Sequence, residues 1–130
     1  MVATLVSAGL CGLFFFWLSI RVVRVRLSSK VALGDGGDAV LLSRIRSHAN
    51  FAEYVPLMLV LILAIELSLK ATPVTLWVPA LALPVLRLLH AIGMDRPAPN
   101  SFRAVGAVGT WALLAGLSVW ALVLALRFGG

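Results

Sequence analysis

Four long runs without a charged residue constrain the fold of this 130-residue chain more than any other feature. They cover residues 1–20, 54–65, 71–86 and 104–126. A helix needs about 20 residues to cross the hydrocarbon core of a bilayer, where its backbone groups must bond to one another. The runs are too long and too evenly apolar for the alternating strands of a membrane barrel. The sequence therefore predicts a single-domain, all-α membrane protein, a four-transmembrane-helix bundle with helices over residues 2–28, 40–69, 73–92 and 102–128.

The basic residues predict how these helices are oriented in the membrane. The net charge of +6 does not form a patch suited to nucleic acid, because the cations lie at helix ends and in loops. The first and third connections between helices are rich in basic residues, whereas the second connection holds only Lys70. The positive-inside rule then places the first and third loops in the cytoplasm and both termini outside it. Because the chain start lacks a basic segment, we expect an uncleaved first helix. The cations near the cytoplasmic loops are Arg21, Arg24, Arg26, Lys30, Arg44, Arg46, Arg96 and Arg103.

Two local features have structural interpretations. Cys11 lies within the first apolar run and is the only cysteine, which predicts a buried free thiol. Residues 34–37, with the sequence GDGG, predict a tight turn with positive backbone angles. No strand precedes this glycine cluster and its spacing differs from the known phosphate-binding fingerprints, so we interpret it as a loop.

The stretch RIRSHANFAEY, residues 44–54, is the candidate functional site. The uncharged segment between Glu53 and Glu66 spans only about 18 Å of helix, against a hydrocarbon core of about 30 Å. Polar residues at one or both ends must therefore lie at membrane depth, where such groups usually face the bundle interior and mark a site. Arg46, Asn50 and Glu53 lie within about 60° on one helix face, and Tyr54 adjoins them.

Other polar residues of this helix have more ordinary explanations. His48 points away from the Arg46 face, and a structural hydrogen bond is the simpler role for it. No second histidine or cysteine stands at metal-ligand spacing, so no metal site is expected. Glu66 is expected at the far membrane interface, paired with Lys70 at the i, i+4 spacing.

Helices 3 and 4 add further candidates. Arg87 should lie inside the cytoplasmic membrane boundary and shares a face with His90, either as a snorkelling cation or as an inward site residue. Arg103 lies in the first turn of helix 4, where the helix dipole disfavours cations, so a bound anion or a phosphate headgroup would help to explain it. Small residues along helix 4 predict close helix packing, and Trp111 and Trp120 are expected to be packing or interface anchors.

The candidate stretch resembles the helix 2 signature of the family of membrane-associated proteins in eicosanoid and glutathione metabolism, which includes the microsomal glutathione transferases and leukotriene C4 synthase. In that signature an asparagine stands four residues after an arginine. A glutamate and a tyrosine stand seven and eight residues after the same arginine. Arg46, Asn50, Glu53 and Tyr54 match it. The segments GDGG and RLLHAIG resemble the bacterial branch, so the likeness covers most of the chain.

The resemblance implies a homotrimer in a lipid bilayer, expected to be a bacterial inner membrane, that uses glutathione as a co-substrate. It implies transfer of the glutathione thiolate to a hydrophobic small-molecule electrophile, or a peroxidase reaction, in a cytoplasmic-side cleft between subunits. The implied catalytic residue is Arg103, which would stabilise the thiolate, with Arg26 as second candidate and Arg96 also possible. The implied glutathione-binding residues are Arg46, Asn50, Glu53, Tyr54, Arg87, His90 and His48.

Departures from the better-known members keep two other functions open. His48 stands where leukotriene synthases have glutamine, and His90 and Met94 replace a tyrosine pair. A non-catalytic scaffold that binds lipid or glutathione is one alternative, because one family member is a scaffold of this kind. A small multidrug exporter is the other, but its mechanism needs a carboxylate in helix 1, and helix 1 has none.

Overall fold

The computed structural model describes residues 1–128, and within this range the chain forms four helices and no strand. In chain order they are α1 (Val2–Ser29), α2 (Ala39–Leu69), α3 (Val74–Met94) and α4 (Ser101–Phe128). Each is long and apolar enough to cross a membrane. The predicted all-α four-span bundle is confirmed, and the observed helix bounds differ from the predicted ones by no more than two residues.

The first loop is held by the residue that caps the N-terminus of α2. Asp38 is the N-cap, and its Oδ1 accepts hydrogen bonds from the backbone N–H groups of Val40 (2.8 Å) and Leu41 (3.1 Å). Its Oδ2 accepts a bond of 2.6 Å from the hydroxyl of Ser29, at the end of α1. Hydrogen bonding from Ser29, and then from Leu41, holds the pKa of Asp38 below its ordinary value. One carboxylate thus ties the end of α1 to the start of α2.

The glycine cluster forms the tight turn that the sequence predicts. Gly34, Gly36 and Gly37 have φ angles of 71°, 58° and 78°, a region that residues with a Cβ rarely adopt. The carboxylate of Asp35 accepts a hydrogen bond of 3.0 Å from the Gly37 N–H. This geometry agrees with a turn.

The backbones of α3 and α4 touch at the end of the bundle that holds the loop between them. A Cβ placed on Gly106 would lie 2.5 Å from the backbone nitrogen of His90, and one on Gly93 would lie 2.2 Å from that of Arg103. Only glycine permits this approach, so the predicted close packing of α4 is confirmed at Gly106, whereas Gly116 is exposed and a Cβ placed on it would meet nothing within 4 Å. The contact sets His90 beside the first turns of α4.

The centre of the bundle is apolar. Met58 and Ile62 of α2 and Leu76 and Leu83 of α3 are fully buried. Cys11 of α1 packs in the same cluster and is 1% exposed, as predicted. The remaining large apolar side chains are mostly exposed on the outside of the helices, where lipid would cover them.

The predicted pairing of Glu66 with Lys70 is wrong. Glu66 is 2% exposed, and its carboxylate accepts hydrogen bonds from the N–H groups of Ala3 (3.1 Å) and Thr4 (2.9 Å) in the first turn of α1. The hydroxyls of Thr4 and Thr72 each donate a further bond of 2.6 Å. The first N–H groups of a helix have no partner within it and carry partial positive charge, so they stabilise a buried carboxylate better than an exposed lysine does.

Candidate functional site

A cluster of charged residues joins three helices at the end of the bundle that holds the first and third loops. Asp95, which follows α3, forms ion pairs with Arg21 of α1 and Arg44 of α2. The Ser43 hydroxyl donates a hydrogen bond to the carbonyl of Met94. These contacts fix the point from which the loop of residues 95–100 leaves α3.

The loop folds back on the end of α3 and caps α4. The Asn100 side chain donates to the carbonyls of Gly93 (2.9 Å) and Pro97 (3.1 Å). Its Oδ1 accepts a bond of 2.9 Å from the Arg103 N–H. The side chain of this one asparagine therefore holds both the loop and the first turn of α4, from which the Arg103 side chain extends.

Between α2, α3, α4 and this loop lies a cleft of about 520 Å³. This is a usual size for a small-molecule site. Its polar lining contains two arginines and, among residues 1–128, no carboxylate. The polar lining residues are Asn50, Tyr54, Arg87, His90, Asn100, Arg103, Thr110 and Trp111.

Helix periodicity explains why five of the predicted site residues meet here. Asn50 and Tyr54 are four residues apart on α2, and Arg87 and His90 are three apart on α3, so each pair lies on one face. Arg103 joins them because the glycine contact brings the start of α4 against the end of α3.

Arg87 is the most unusual group in the cleft. Its side chain is 2% exposed, and within residues 1–128 it has neither a hydrogen bond nor an ion pair. Its guanidinium lies 5.9 Å from the centre of the Tyr54 ring. Of the two interpretations that the sequence leaves open, the structure supports the inward one. A buried charge without a partner is costly, so this position calls for an anion.

Three predicted residues lie on the surface of the single chain or are engaged elsewhere. Arg46 and Glu53 are exposed and outside the cleft lining, although they lie on the same side of α2 as Asn50. Arg26 donates hydrogen bonds to three carbonyls within residues 31–34, the shortest being 2.8 Å to Gly34. Arg26 thus holds the start of the first loop and does not line the cleft.

His48 lies between α1 and α2, away from the cleft. Its ring stacks on Phe15 with centroids 4.5 Å apart, and its Nε2 is 3.1 Å from the Ser19 hydroxyl. This is the structural hydrogen bond that the simpler interpretation of the sequence predicts. The glutathione contact implied for His48 by the resemblance finds no geometric support in the single chain.

Sequence reasoning missed Trp111 as a residue of the cleft. Its indole Nε1 donates a hydrogen bond of 3.1 Å to the Tyr54 hydroxyl, although an anchor role was expected. The available signal was its position eight residues after Arg103, which puts both on about the same helix face. A tryptophan at a lipid interface has the same periodicity, so the pattern alone did not separate the two roles.

Comparisons with known proteins agree with this architecture. The MAPEG family model matches residues 4–123. The chain is 35% identical over 130 aligned positions to the inner membrane protein YecN of Escherichia coli K12, covering 92% of this chain and 95% of that protein. The protein of the same name from Escherichia coli O6:H1 has the same identity and coverage. No solved structure matches the chain. Because the family match runs from the first turn of α1 into the second half of α4, the chain belongs to the MAPEG family.

Proposed function

We propose that this protein binds glutathione in the cleft and activates its thiol for attack on a hydrophobic electrophile, as a glutathione-dependent transferase or peroxidase. The observation that carries the proposal is Arg87, a buried cation without a protein partner in residues 1–128. Arg103 lines the same cleft, and no carboxylate of the described chain does. An anionic ligand would supply the missing charge.

The residue types fit the groups of glutathione, which carries two carboxylates, one ammonium and one thiol. Arginine binds carboxylates through paired hydrogen bonds, a role suited to Arg87 and Arg46. Asn50 and Tyr54 offer neutral hydrogen bonds from the cleft wall. Glu53 would accept the ammonium. Because Arg46 and Glu53 are exposed in the single chain, we place them at a subunit boundary of the proposed homotrimer, where a second copy would close the site.

The thiol must become a thiolate to react. A free thiol has a pKa of about 8.5, so only a few per cent of it is ionised at pH 7. A nearby cation lowers that value, and each pKa unit takes about 1.36 kcal/mol of differential stabilisation. Arg103 is the first candidate because it lines the cleft, although its side chain is exposed in the single chain, whereas the Arg26 guanidinium is engaged with its own loop.

The proposed location brings both substrates to the cleft. The relative from Escherichia coli is named an inner membrane protein, which supports an inner-membrane location for this chain. The cleft lies at the end that the positive-inside rule assigns to the cytoplasm, from which glutathione would enter. Val108 and Trp111 form an exposed apolar edge, through which a bilayer-dissolved electrophile would reach the thiolate.

The exporter alternative loses support. A carboxylate does contact α1, but it belongs to Glu66 of α2 and accepts four hydrogen bonds. Such a fully bonded carboxylate is poorly suited to the proton or cation exchange that export requires.

The proposal is tested on the detergent-purified protein by three measurements: glutathione binding by calorimetry, ultraviolet absorbance of the thiolate, and conjugation of an aryl halide. Wild type should give all three signals. Binding without thiolate or turnover would favour the non-catalytic scaffold. Absence of binding would refute the proposal.

A matched pair of variants identifies the anion site. Arg87→Met keeps an unbranched apolar stem and removes the guanidinium, and should weaken glutathione binding by about tenfold or more. Because the charge has no protein partner, its removal should not lower the thermal unfolding midpoint. Arg24→Met, at an exposed position of α1, is the control and should bind like wild type.

A further inference from the structure

The hydrogen bond between Trp111 and Tyr54 crosses the cleft from α4 to α2. It is the one side-chain hydrogen bond that joins these two helices within residues 1–128. Both residues line the cleft, and the Tyr54 ring lies below the guanidinium of Arg87. The bond is therefore part of the wall that a ligand would contact.

Its direction is fixed by chemistry. An indole N–H can only donate, so the Tyr54 oxygen must be the acceptor. The hydrogen of the Tyr54 hydroxyl then points elsewhere, and no residue of the described chain accepts it. Trp111 thereby leaves Tyr54 as a donor toward the cleft. Within residues 1–128 Arg87 is also a donor without an acceptor, so the cleft offers two unpaired donors to the separate anionic groups of one ligand.

The position of Trp111 indicates which atom of the ligand the Tyr54 hydroxyl would contact. Trp111 is 56% exposed and, with Val108, forms the apolar edge of the cleft. A hydrophobic electrophile would arrive from the bilayer at this edge. The reacting sulfur must lie beside the place where the electrophile enters, and the bond to Trp111 puts the Tyr54 hydroxyl at that edge.

We infer that Trp111 is a positioning residue that holds the Tyr54 hydroxyl as a hydrogen-bond donor to the thiolate sulfur of bound glutathione. The inference rests on the proposed function. It adds a group acting on the sulfur from α2, alongside the cation that Arg103 supplies from α4. Trp111 itself acts only through Tyr54.

A double-mutant cycle tests the inference, with the pKa of the bound thiol as the readout, measured from thiolate absorbance against pH. Tyr54→Phe should raise this pKa by about one unit, the size expected for loss of one hydrogen bond to a charged group. Trp111→Phe removes the N–H, keeps an aromatic ring, and should raise the pKa by a part of that amount. The double variant should match Tyr54→Phe alone, because Trp111 acts through Tyr54.

The controls separate this inference from the proposed function. Trp120→Phe alters a tryptophan of α4 that lines a different, apolar groove, and should leave the thiol pKa unchanged. If Trp111→Phe has no effect on the pKa, or has the same effect with and without Tyr54, the inference is wrong even though glutathione binds. If wild type binds no glutathione, the proposed function fails and the inference fails with it.

Discussion

Two arginines show how position decides what a cation does for an anionic ligand. Arg103 is held at the mouth of the cleft because the Asn100 side chain caps its backbone N–H. Arg46 lies on the exposed side of α2, beyond the cleft lining. In the proposed function, the first would act on an atom inside the cleft. The second would hold a part of the ligand that extends out of it.

We therefore expect different kinetic and binding effects from their removal. Arg46→Ala should weaken glutathione binding by about tenfold, the equivalent of one charge-assisted interaction. Arg103→Ala should leave binding largely intact and raise the pKa of the bound thiol by about one unit. Calorimetry measures the first effect and absorbance against pH measures the second, with Arg24→Ala as an exposed control. An unchanged thiol pKa in Arg103→Ala would exclude it as the thiolate-stabilising group.

At the scale of helices, the carboxylate of Glu66 links three segments of the chain. It joins the first turn of α1 to α2 and to Thr72, in the connection before α3. Its partners on α1 are 62 and 63 residues away in sequence. Lys70, four residues away, instead ends α2 with a left-handed φ of 50°. The long-range partners are favoured because unpaired N–H groups at a buried helix start are costly.

Glu66→Ala should consequently destabilise the folded bundle. It would leave the N–H groups of Ala3 and Thr4 without an acceptor, at a cost of about 3 kcal/mol in the free energy of unfolding. Lys70→Ala should change that free energy by less than about 0.5 kcal/mol, the usual effect of an exposed position without a specific contact. Unfolding in mixed detergent micelles compares the two variants with wild type. If both variants lost the same free energy of unfolding, the result would support the ion pair of Glu66 with Lys70 that the sequence predicts.

The close contact between α3 and α4 has a functional consequence at the same scale. Gly93 and Gly106 let the two backbones touch, and this puts His90 and Arg103 on the same cleft. The sequence predicts that α4 packs closely through its small residues. It does not specify the partner helix, since every helix of the bundle offers an apolar face.

At the scale of the whole molecule, the four-helix architecture could be predicted because lipid leaves few alternatives. Uncharged runs of membrane length must be helical, and the loops between them are short. Residues of the cleft could be predicted where helical spacing alone groups them, as for Asn50 with Tyr54 and Arg87 with His90. These pairs needed no knowledge of which helices are neighbours.

What could not be predicted depends on which faces meet. Residues 46 and 53 share a side of α2 with Asn50, but the cleft ends before it reaches them. His48 faces Phe15 and Ser19 because α1 packs against that side of α2. Trp111 has the spacing of a lipid anchor and differs only in having Tyr54 within hydrogen-bond distance. Periodicity gives a direction around a helix, and only the packed structure gives the neighbour found there.

The orientation of the whole chain decides whether the cleft faces a supply of glutathione. The ion pairs of Asp95 with Arg21 and Arg44 place the first and third loops at one end of the bundle, so a label on the first loop reports the side on which the cleft opens. Cys11 is buried, so the native thiol should resist labelling and wild type serves as the control.

Two single substitutions test the orientation. Leu33 lies in the first loop and is 91% exposed, and Ala71 is exposed in the connection between α2 and α3. An impermeant maleimide should label Ala71→Cys in intact bacterial spheroplasts and Leu33→Cys only after lysis, because the positive-inside rule predicts that the cation-rich loops are cytoplasmic. The opposite pattern would place the cleft outside the cytoplasm. Cytoplasmic glutathione would then not reach Arg87 and Arg103 from the aqueous side, and the buried charge would require a different anion.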